Sequence, residues 1–374
     1  MRVLHFGRFY DDNYGGMERH VAVLLDSLKN EIDVANLVAN DRFRLDVTHE
    51  RGYPIYKAPS LGLLAGMALC PTMPLILRDL HRKTPIDIAH LHFPDPMSHF
   101  ASCVLPATVK RVVTWHSDIV RQRRLFALYR PFLDGFLRRA DAIILPTAAH
   151  RSSSRQLDAV TDTRRFHCVP FGFDLSRFEK RPPEADALRK HYGGRPLVFA
   201  LGRHVYYKGF EFLIQAMREL PQAMLLLGGQ GPLTDALKQL ARSLDLGKRV
   251  DFVGRIADDR LAAYYHACDV FCLPSVERTE AFGIVQVEAM ACGKPVVCCE
   301  LDNGVTYVNR HGETGLVVPP RDAPALANAI ARLLADAPLA RRLGEQAKPR
   351  VTAEFGLDAM RANTLALYRN ILSA

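Results

Sequence analysis

The sequence predicts an α/β protein built from two doubly wound, mostly parallel sheets. Three observations carry that expectation. Short apolar runs alternate with helical stretches along the whole chain, the pattern of parallel strands joined by crossover helices. The chain has 374 residues, enough for about two domains. The pattern changes around Val169-Pro-Phe-Gly-Phe-Asp174, and residues 179–194 are charged and rich in Pro and Gly, so a boundary is expected there.

The first half reads as follows. Residues 3–9 form a strand, 10–16 a polar loop and 17–29 a helix. Gly15-Gly16 stand between that strand and helix, where glycines let backbone amides approach an anion closely. On its own the pair reads equally well as a tight structural turn. No G-x-G-x-x-G is present, so a dinucleotide fingerprint is absent. Further strands are expected at 33–39, 86–93, 111–116 and 142–146. His116 ends one of them, at the carboxyl edge where such sheets bind ligands. A strand-end histidine bonded to a neighbour is the alternative.

Two stretches of this half have the character of a partner surface. Residues 61–77 are apolar but carry Pro71 and Pro74, so they cannot be one straight helix. Residues 119–139 interleave Arg121, Arg123, Arg124, Arg130, Arg138 and Arg139 with Phe126, Leu128, Phe132, Phe136 and Leu137. Such a segment lies on an anionic membrane or turns its apolar face to a core. The core reading is favoured.

In the second half, strands are expected at 197–201, 223–227, 249–253, 270–273, 295–299 and 315–318. Helices are expected at 209–220, up to 245, 259–267, 323–335, 339–355 and 357–372. The stretch Glu280-Ala-Phe-Gly-Ile-Val-Gln-Val-Glu288 follows the strand at 270–273 and reads as a helix from Phe282 to Gly293. Its residues are apolar nearly all round, so the helix is expected to be buried. Glu288 sits in it between Ile284 and Cys292 on one face and needs a strong donor there. Ligand hydroxyls would serve, and Glu280 at the other end would take a second set. A helix N-terminus between them, at Phe282 and Gly283, suits a phosphate. The plain alternative makes Glu280 a surface cap and pairs Glu288 with a buried arginine.

Gly202-Arg203-His-Val-Tyr-Tyr-Lys208-Gly209 leaves a strand and enters a helix. Arg203 would fork onto phosphate oxygens and Lys208 would supply a point charge. Two such cations in a loop also read as solvated surface. No Asp-x-Asp occurs in the chain, so a common carboxylate pair for holding a divalent ion on a nucleotide-sugar is missing.

Composition narrows the function. Hydrophobic residues make up 48% and charged residues 24%, ordinary values for a globular protein. The eight cysteines stand at apolar positions without a C-x-x-C pair and read as buried thiols of a cytoplasmic protein. No signal peptide and no membrane-spanning run are read in the sequence. The net charge of +9 suits phosphorylated substrates or an acidic membrane surface. No nucleic-acid module motif is present.

Taken together, several motifs resemble family 4 of the retaining glycosyltransferases. They are Gly202-Arg203…Lys208-Gly209, Glu280-x-Phe-Gly-x4-Glu288-Ala-Met-Ala-x-Gly293-x-Pro-Val and His311-Gly-x-Thr-Gly315. Gly15-Gly16-x-Glu18, His116 and Pro-Phe-Gly-Phe-Asp174 match as well. The resemblance covers nearly the whole chain. It implies the GT-B architecture, two Rossmann-like domains facing a central cleft, with domains at 1–172 and 173–356 and a last helix, 357–374, returning to the first. It implies sugar transfer with retention of configuration and without a metal.

The resemblance also implies roles. Arg203 and Lys208 would neutralise the diphosphate, and Glu280 would hold hydroxyls of the donor sugar. Phe282, Gly283, Ile284 and Val285 would offer amides to sugar and phosphate, and Glu288 would bind the ribose. Gly15 and Gly16 would let the first loop close on the phosphates, and His116 would reach the sugar. Arg255 and Ile256 would lie against the base. Closer likeness to bacterial O-antigen and exopolysaccharide enzymes points to GDP-mannose as donor, with UDP-sugars or GDP-deoxysugars as alternatives. The acceptor would be a lipid-linked glycan, with peripheral contact at the inner membrane surface.

Overall fold

The computed structural model describes residues 1–9, 16–64, 67–119, 123–280 and 282–373. The chain divides into two compact units. The first is Met1–Gly172 with Leu357–Ala374, and the second is Phe173–Gly356.

The first unit contains the strands β1 (Arg2–Phe6), β2 (Asp33–Ala39), β3 (Asp46–Thr48) and β4 (Ile55–Ala58). A short hairpin follows, β5 (Leu63–Leu64) and β6 (Met67–Ala68), then β7 (Ile88–Phe93), β8 (Lys110–Trp115), β9 (Ala142–Leu145) and β10 (Phe166–Cys168). The main sheet has the order β10-β9-β8-β7-β1-β2-β4-β3. Its pairs are parallel except β3 with β4 at one edge. Central strands are buried on both faces, so β7 and β9 are covered throughout. The helix Leu357–Ser373 belongs to this unit, and its Tyr368, Leu365 and Leu367 share a core with Leu24, Leu25 and Leu28 of the first helix, Gly16–Leu28.

The second unit contains β11 (Leu197–Leu201), β12 (Met224–Gly228), β13 (Val250–Gly254), β14 (Val270–Leu273), β15 (Val296–Cys299) and β16 (Gly315–Val318). All pairs are parallel, in the order β13-β12-β11-β14-β15-β16. Counting from β11, this is the doubly wound order 3-2-1-4-5-6, whose direction of winding reverses between β11 and β14.

Several sequence expectations need correction. Residues 61–77 are not one straight helix, as expected, but hold the β5–β6 hairpin and then the start of the helix Met73–Lys83. Pro74 sits in that helix's first turn, where its missing N–H costs nothing. The 119–139 segment divides its apolar residues between two faces. In the helix Arg123–Leu137, Leu133, Phe136 and Leu137 are buried, while Leu125, Leu128 and Phe132 are exposed. Arg124, Arg138 and Arg139 are exposed beside them. Residues 184–191 of the charged stretch are a helix. Cys103 and Cys168 are exposed, whereas the other six cysteines are buried, and all eight are free thiols.

Candidate active site

The reversal point of the second sheet brings two loops together. One leaves β11 as Gly202-Arg203 and ends in a short turn at Tyr206–Lys208. The other leaves β14 as Pro274-Ser275 and runs to Glu280. Val276 donates its N–H to the Tyr207 carbonyl at 2.8 Å, tying the loops. Gly209 follows the turn in a left-handed conformation, φ +64°, against Pro274; a Cβ there would lie 2.2 Å from the Pro274 carbonyl oxygen. Gly202 lies against the Lys208 side chain, where a Cβ would meet Cε at 3.1 Å.

This packing delivers Lys208 Nζ to Glu280 Oε2 at 2.5 Å, with side-chain exposures of only 10% and 12%. The fully buried Ser275 hydroxyl donates to the same Oε2 at 3.0 Å. Asn303 holds the loop from the other side. Its Nδ2 donates to the Glu280 carbonyl at 2.6 Å, while its Oδ1 accepts from Val305 N and caps the helix Gly304–Val308. Burial, and then the nearby Glu280 carboxylate, raise the Tyr207 phenol above its usual range.

The helix that follows is Ile284–Ala291. It starts two residues later than the sequence suggests, because Gly283 adopts φ +70° and serves as the N-cap. Phe282 and Gly283 are therefore buried residues before the first turn, and the helical rise does not extend back to Glu280. The helix is not buried all round. Ile284 is 47% exposed, and Val285 and Glu288 are partly so, forming one open strip. At its head stand first-turn amides that a helix leaves without internal partners. Gln286, fully buried, donates to the carbonyls of Phe282 and Val305, each at 3.0 Å, and fixes the turn that carries Gly283.

Glu288 accepts from the Tyr265 hydroxyl at 2.7 Å and lies 3.4 Å from Arg177 Nη2. The plain alternative thus holds in part, but Arg177 is about one-third exposed rather than buried. Burial, followed by the Glu288 charge, keeps the Tyr265 phenol protonated far above its ordinary range. Glu280 is no surface cap.

The remaining residues of this unit line the same edge of the sheet. Arg203 is exposed and makes no ion pair among the described residues. His204 N donates to the Gln230 carbonyl and Gly202 N to the Gly228 carbonyl, which joins the ends of β11 and β12. Gly229 N reaches the Gly254 carbonyl at 2.7 Å, adding the end of β13, where Arg255 is exposed and Ile256 half-buried.

In the first unit, His116 follows β8, half-buried and stacked on Phe171. Gly16 opens the first helix, and Gly15 lies outside the described residues. Glu18 is buried and paired with Arg8 Nη2 at 2.9 Å.

Two family descriptions match the chain: "Glycosyltransferase Family 4" over residues 14–177 and "Glycosyl transferases group 1" over 183–350. The chain is 29% identical to O-antigen chain mannosyltransferase C of Escherichia coli over the full length of both. It is 31% identical to the D-rhamnosyltransferase WbpZ of Pseudomonas aeruginosa, over 95% of this chain and 92% of that one. The protein belongs to glycosyltransferase family 4. A 31% identical relative, covering 85% of this chain and 83% of its own, is the GDP-mannose-dependent alpha-(1-6)-phosphatidylinositol monomannoside mannosyltransferase of Mycobacterium tuberculosis. Among solved structures, sucrose-phosphate synthase from Thermosynechococcus elongatus is 26% identical with a TM-score of 0.75, over 100% and 99% of the two chains. Anabaena HepE in complex with UDP gives 0.78 at 21% identity, over 99% and 100%, and shows the same fold.

This glycosyltransferase has the GT-B fold, and its second unit gathers Arg203, Lys208, Glu280, Ile284 and Val285 at one sheet edge. The sequence pass missed Ser275, Asn303 and Gln286, which hold that edge in shape. Asn303 just before a short apolar helix is an N-cap signal, and Gln286 inside an apolar helix is a buried polar side chain that needs partners. It also missed Tyr265 and Arg177, for which local sequence carries no signal.

Proposed function

We propose that the enzyme transfers mannose from GDP-mannose, with retention and without a metal ion, to a lipid-linked or polysaccharide-precursor acceptor. The observation that carries this reading is the Lys208–Glu280 pair, set beside the head of the helix Ile284–Ala291 at the sheet's reversal point. A cation, an exposed arginine and free amides at one edge are chemistry for a diphosphate. An adjoining carboxylate is chemistry for sugar hydroxyls.

In this reading Lys208 and Arg203 stabilise the charge that grows on the diphosphate as the C1–oxygen bond breaks. The amides of Ile284 and Val285 take phosphate oxygens. Glu280, oriented by Lys208 and Ser275, accepts from the sugar. Glu288 accepts from the ribose hydroxyls, and Tyr265 keeps its carboxylate turned outward. The base lies against Arg255 and Ile256. The acceptor oxygen attacks the face that the leaving phosphate occupies, and its proton passes to that phosphate. In this reading His116 of the first unit is assigned to the sugar and Gly16 to the phosphates.

The donor reading is supported by the names of two relatives, an O-antigen mannosyltransferase and a GDP-mannose-dependent mannosyltransferase. A GDP-deoxyhexose is the second reading, favoured by the rhamnosyltransferase. No described helix is long and apolar enough to cross a membrane. Leu125, Leu128 and Phe132, exposed with arginines around them, support peripheral contact with an anionic bilayer. The test is incubation with GDP-mannose and a lipid-linked acceptor in EDTA, with the product's anomeric configuration read by NMR. An α-mannoside formed without metal supports the reading, and an inverted product or a requirement for manganese overturns it.

A further inference from the structure

One face of the first sheet carries histidines where a core would ordinarily carry aliphatic side chains. Side chains alternate along a strand, so His90 and His92 share a face of β7, and Thr114 with His116 continue it on β8. The parallel register sets His5 of β1 beside His90 and His92 beside Thr114. His5, His90 and His92 are fully buried. The helix Leu357–Ser373 covers this face and lowers the buried Tyr368 onto it.

These groups form one unbranched hydrogen-bonded chain. Thr114 Oγ1 lies 2.7 Å from His90 Nε2, and His90 Nδ1 lies 2.5 Å from the Tyr368 oxygen. That oxygen lies 3.3 Å from His5 Nε2. His5 Nδ1 lies 3.1 Å from His92 Nε2, and His92 Nδ1 lies 3.1 Å from His116 Nε2. His116 Nδ1 is the ring nitrogen left outside the chain.

A neutral imidazole has one donor and one acceptor nitrogen. The chain is neutral, because burial holds His5 down to about 3 and holds His90, His92 and His116 well below the usual histidine range. Each ring's tautomer then dictates the next, and with the Tyr368 O–H donating along the chain only two arrangements leave no link broken. In one, every proton points outward and His116 Nδ1 carries a hydrogen. In the other, every proton points inward and His116 Nδ1 is bare. A phenol O–H makes shorter bonds than an imidazole N–H. The shorter contact of Tyr368 is to His90 and the longer one to His5. Tyr368 therefore donates to His90 and accepts from His5, which selects the inward arrangement.

We propose that Tyr368 sets the polarity of this chain so that His116 presents Nδ1 as a bare hydrogen-bond acceptor. His5, His90, His92 and Tyr368 are positioning residues, acting through His116. An acceptor at that position suits a hydroxyl donor such as a sugar, which deepens the proposed function and rests on it. The tautomer itself rests on the first unit alone. Reversal of the chain moves one proton across each link, takes one up at His116 Nδ1 and gives one up at the Thr114 end, so the net proton count is unchanged.

The test is nitrogen-15 NMR of the histidine side chains in the full-length protein, which reports each ring's tautomer. The wild type is expected to show His5, His90, His92 and His116 all protonated at Nε2. Tyr368→Phe removes the acceptor of His5 Nε2–H, and His116, two rings away, is expected to switch to Nδ1–H. Thr114→Val removes the acceptor at the inner end and is expected to give the same switch should Tyr368→Phe fail to fold. A wild-type His116 protonated at Nδ1, or one unchanged in a folded variant, overturns the proposal. So does a stoichiometric zinc or copper ion held by His5, His90 and His92 in the purified protein, since these nitrogens also converge closely enough for a metal. Donor KM and kcat are measured alongside. A switched tautomer with unchanged kinetics upholds the polarity and removes His116 from the donor site.

Discussion

Lys208 Nζ and Glu280 Oε2 lie 2.5 Å apart, nearly buried, joining the loops that leave β11 and β14. Each residue was expected to meet the donor separately; in the structure they meet each other. The pair places a cation and a carboxylate side by side, the preorganised charge that the proposed function calls for.

The pair makes a first prediction. Truncating one partner leaves a buried charge uncompensated, which costs about 3–5 kcal/mol in buried pairs. Lys208→Met is expected to lower unfolding free energy by roughly the lower end of that range, and the double variant Lys208→Met/Glu280→Gln to recover part of it. Loss of the cation from the leaving group is expected to lower kcat by about 10²–10³. Denaturant unfolding and steady-state kinetics on Lys208→Met, Glu280→Gln and the double variant check both; additive stability losses would deny the coupling.

Asn303 is expected to matter beyond its size. Asn303→Ala removes a helix cap and the bond to the Glu280 carbonyl, together about 1–3 kcal/mol. Thermal unfolding should show the loss, and donor KM should rise because Glu280 is no longer held. A variant with wild-type KM would separate the cap from the site.

Gly209 cannot take a side chain. Its left-handed backbone alone costs about 1–3 kcal/mol for a non-glycine residue, and a Cβ would collide with the Pro274 carbonyl. Gly209→Ala is expected to lower stability and to separate Lys208 from Glu280. Gly312→Ala, at φ +75° with open space around it, should show the backbone cost alone.

Acid should unfold the first unit. His5, His90 and His92 have folded pKa values held below the unfolded value by burial. Below about pH 6.5 the unfolded chain binds their protons and the folded one does not, so stability is full above that pH and falls as pH drops. Each group contributes about 1.4 kcal/mol per pH unit, so three give a slope of roughly 4. Unfolding free energies between pH 7 and 5 check this; a flat profile would mean the histidines are charged in the fold.

The exposed apolar side of the helix Arg123–Leu137 makes the membrane prediction. Leu128, 74% exposed, and Phe132, 59% exposed, are expected to drive co-sedimentation with phosphatidylglycerol vesicles. Leu128→Asp/Phe132→Asp should abolish it without altering thermal stability. Binding that persists would move the contact elsewhere.

Much of the fold was legible because buried parallel strands are short apolar runs with sharp ends. The expected bounds 33–39, 197–201, 270–273 and 315–318 coincide with β2, β11, β14 and β16. β3 at the edge and β4 beside it were missed because Asp46–Thr48 and Ile55–Ala58 make no continuous apolar run. Pro74 hid a helix by resembling a breaker while sitting in its first turn. The Lys208–Glu280 pairing was beyond local reading, since 72 positions separate them and only the winding order makes β11 and β14 neighbours. The histidine chain was hidden for the same reason: His5, His90 and His92 align only when the strand register is known.

The central claim is that the protein grips a nucleotide-sugar at its diphosphate through Lys208 and its neighbours, with no ion between. Calorimetric titration of GDP and GMP into wild type and Lys208→Met, in EDTA, tests it most directly. The account predicts that GDP binds wild type far more tightly than GMP does and that the variant loses most of this difference. Equal affinity for the two nucleotides, or binding of GDP only after manganese is added, would contradict it.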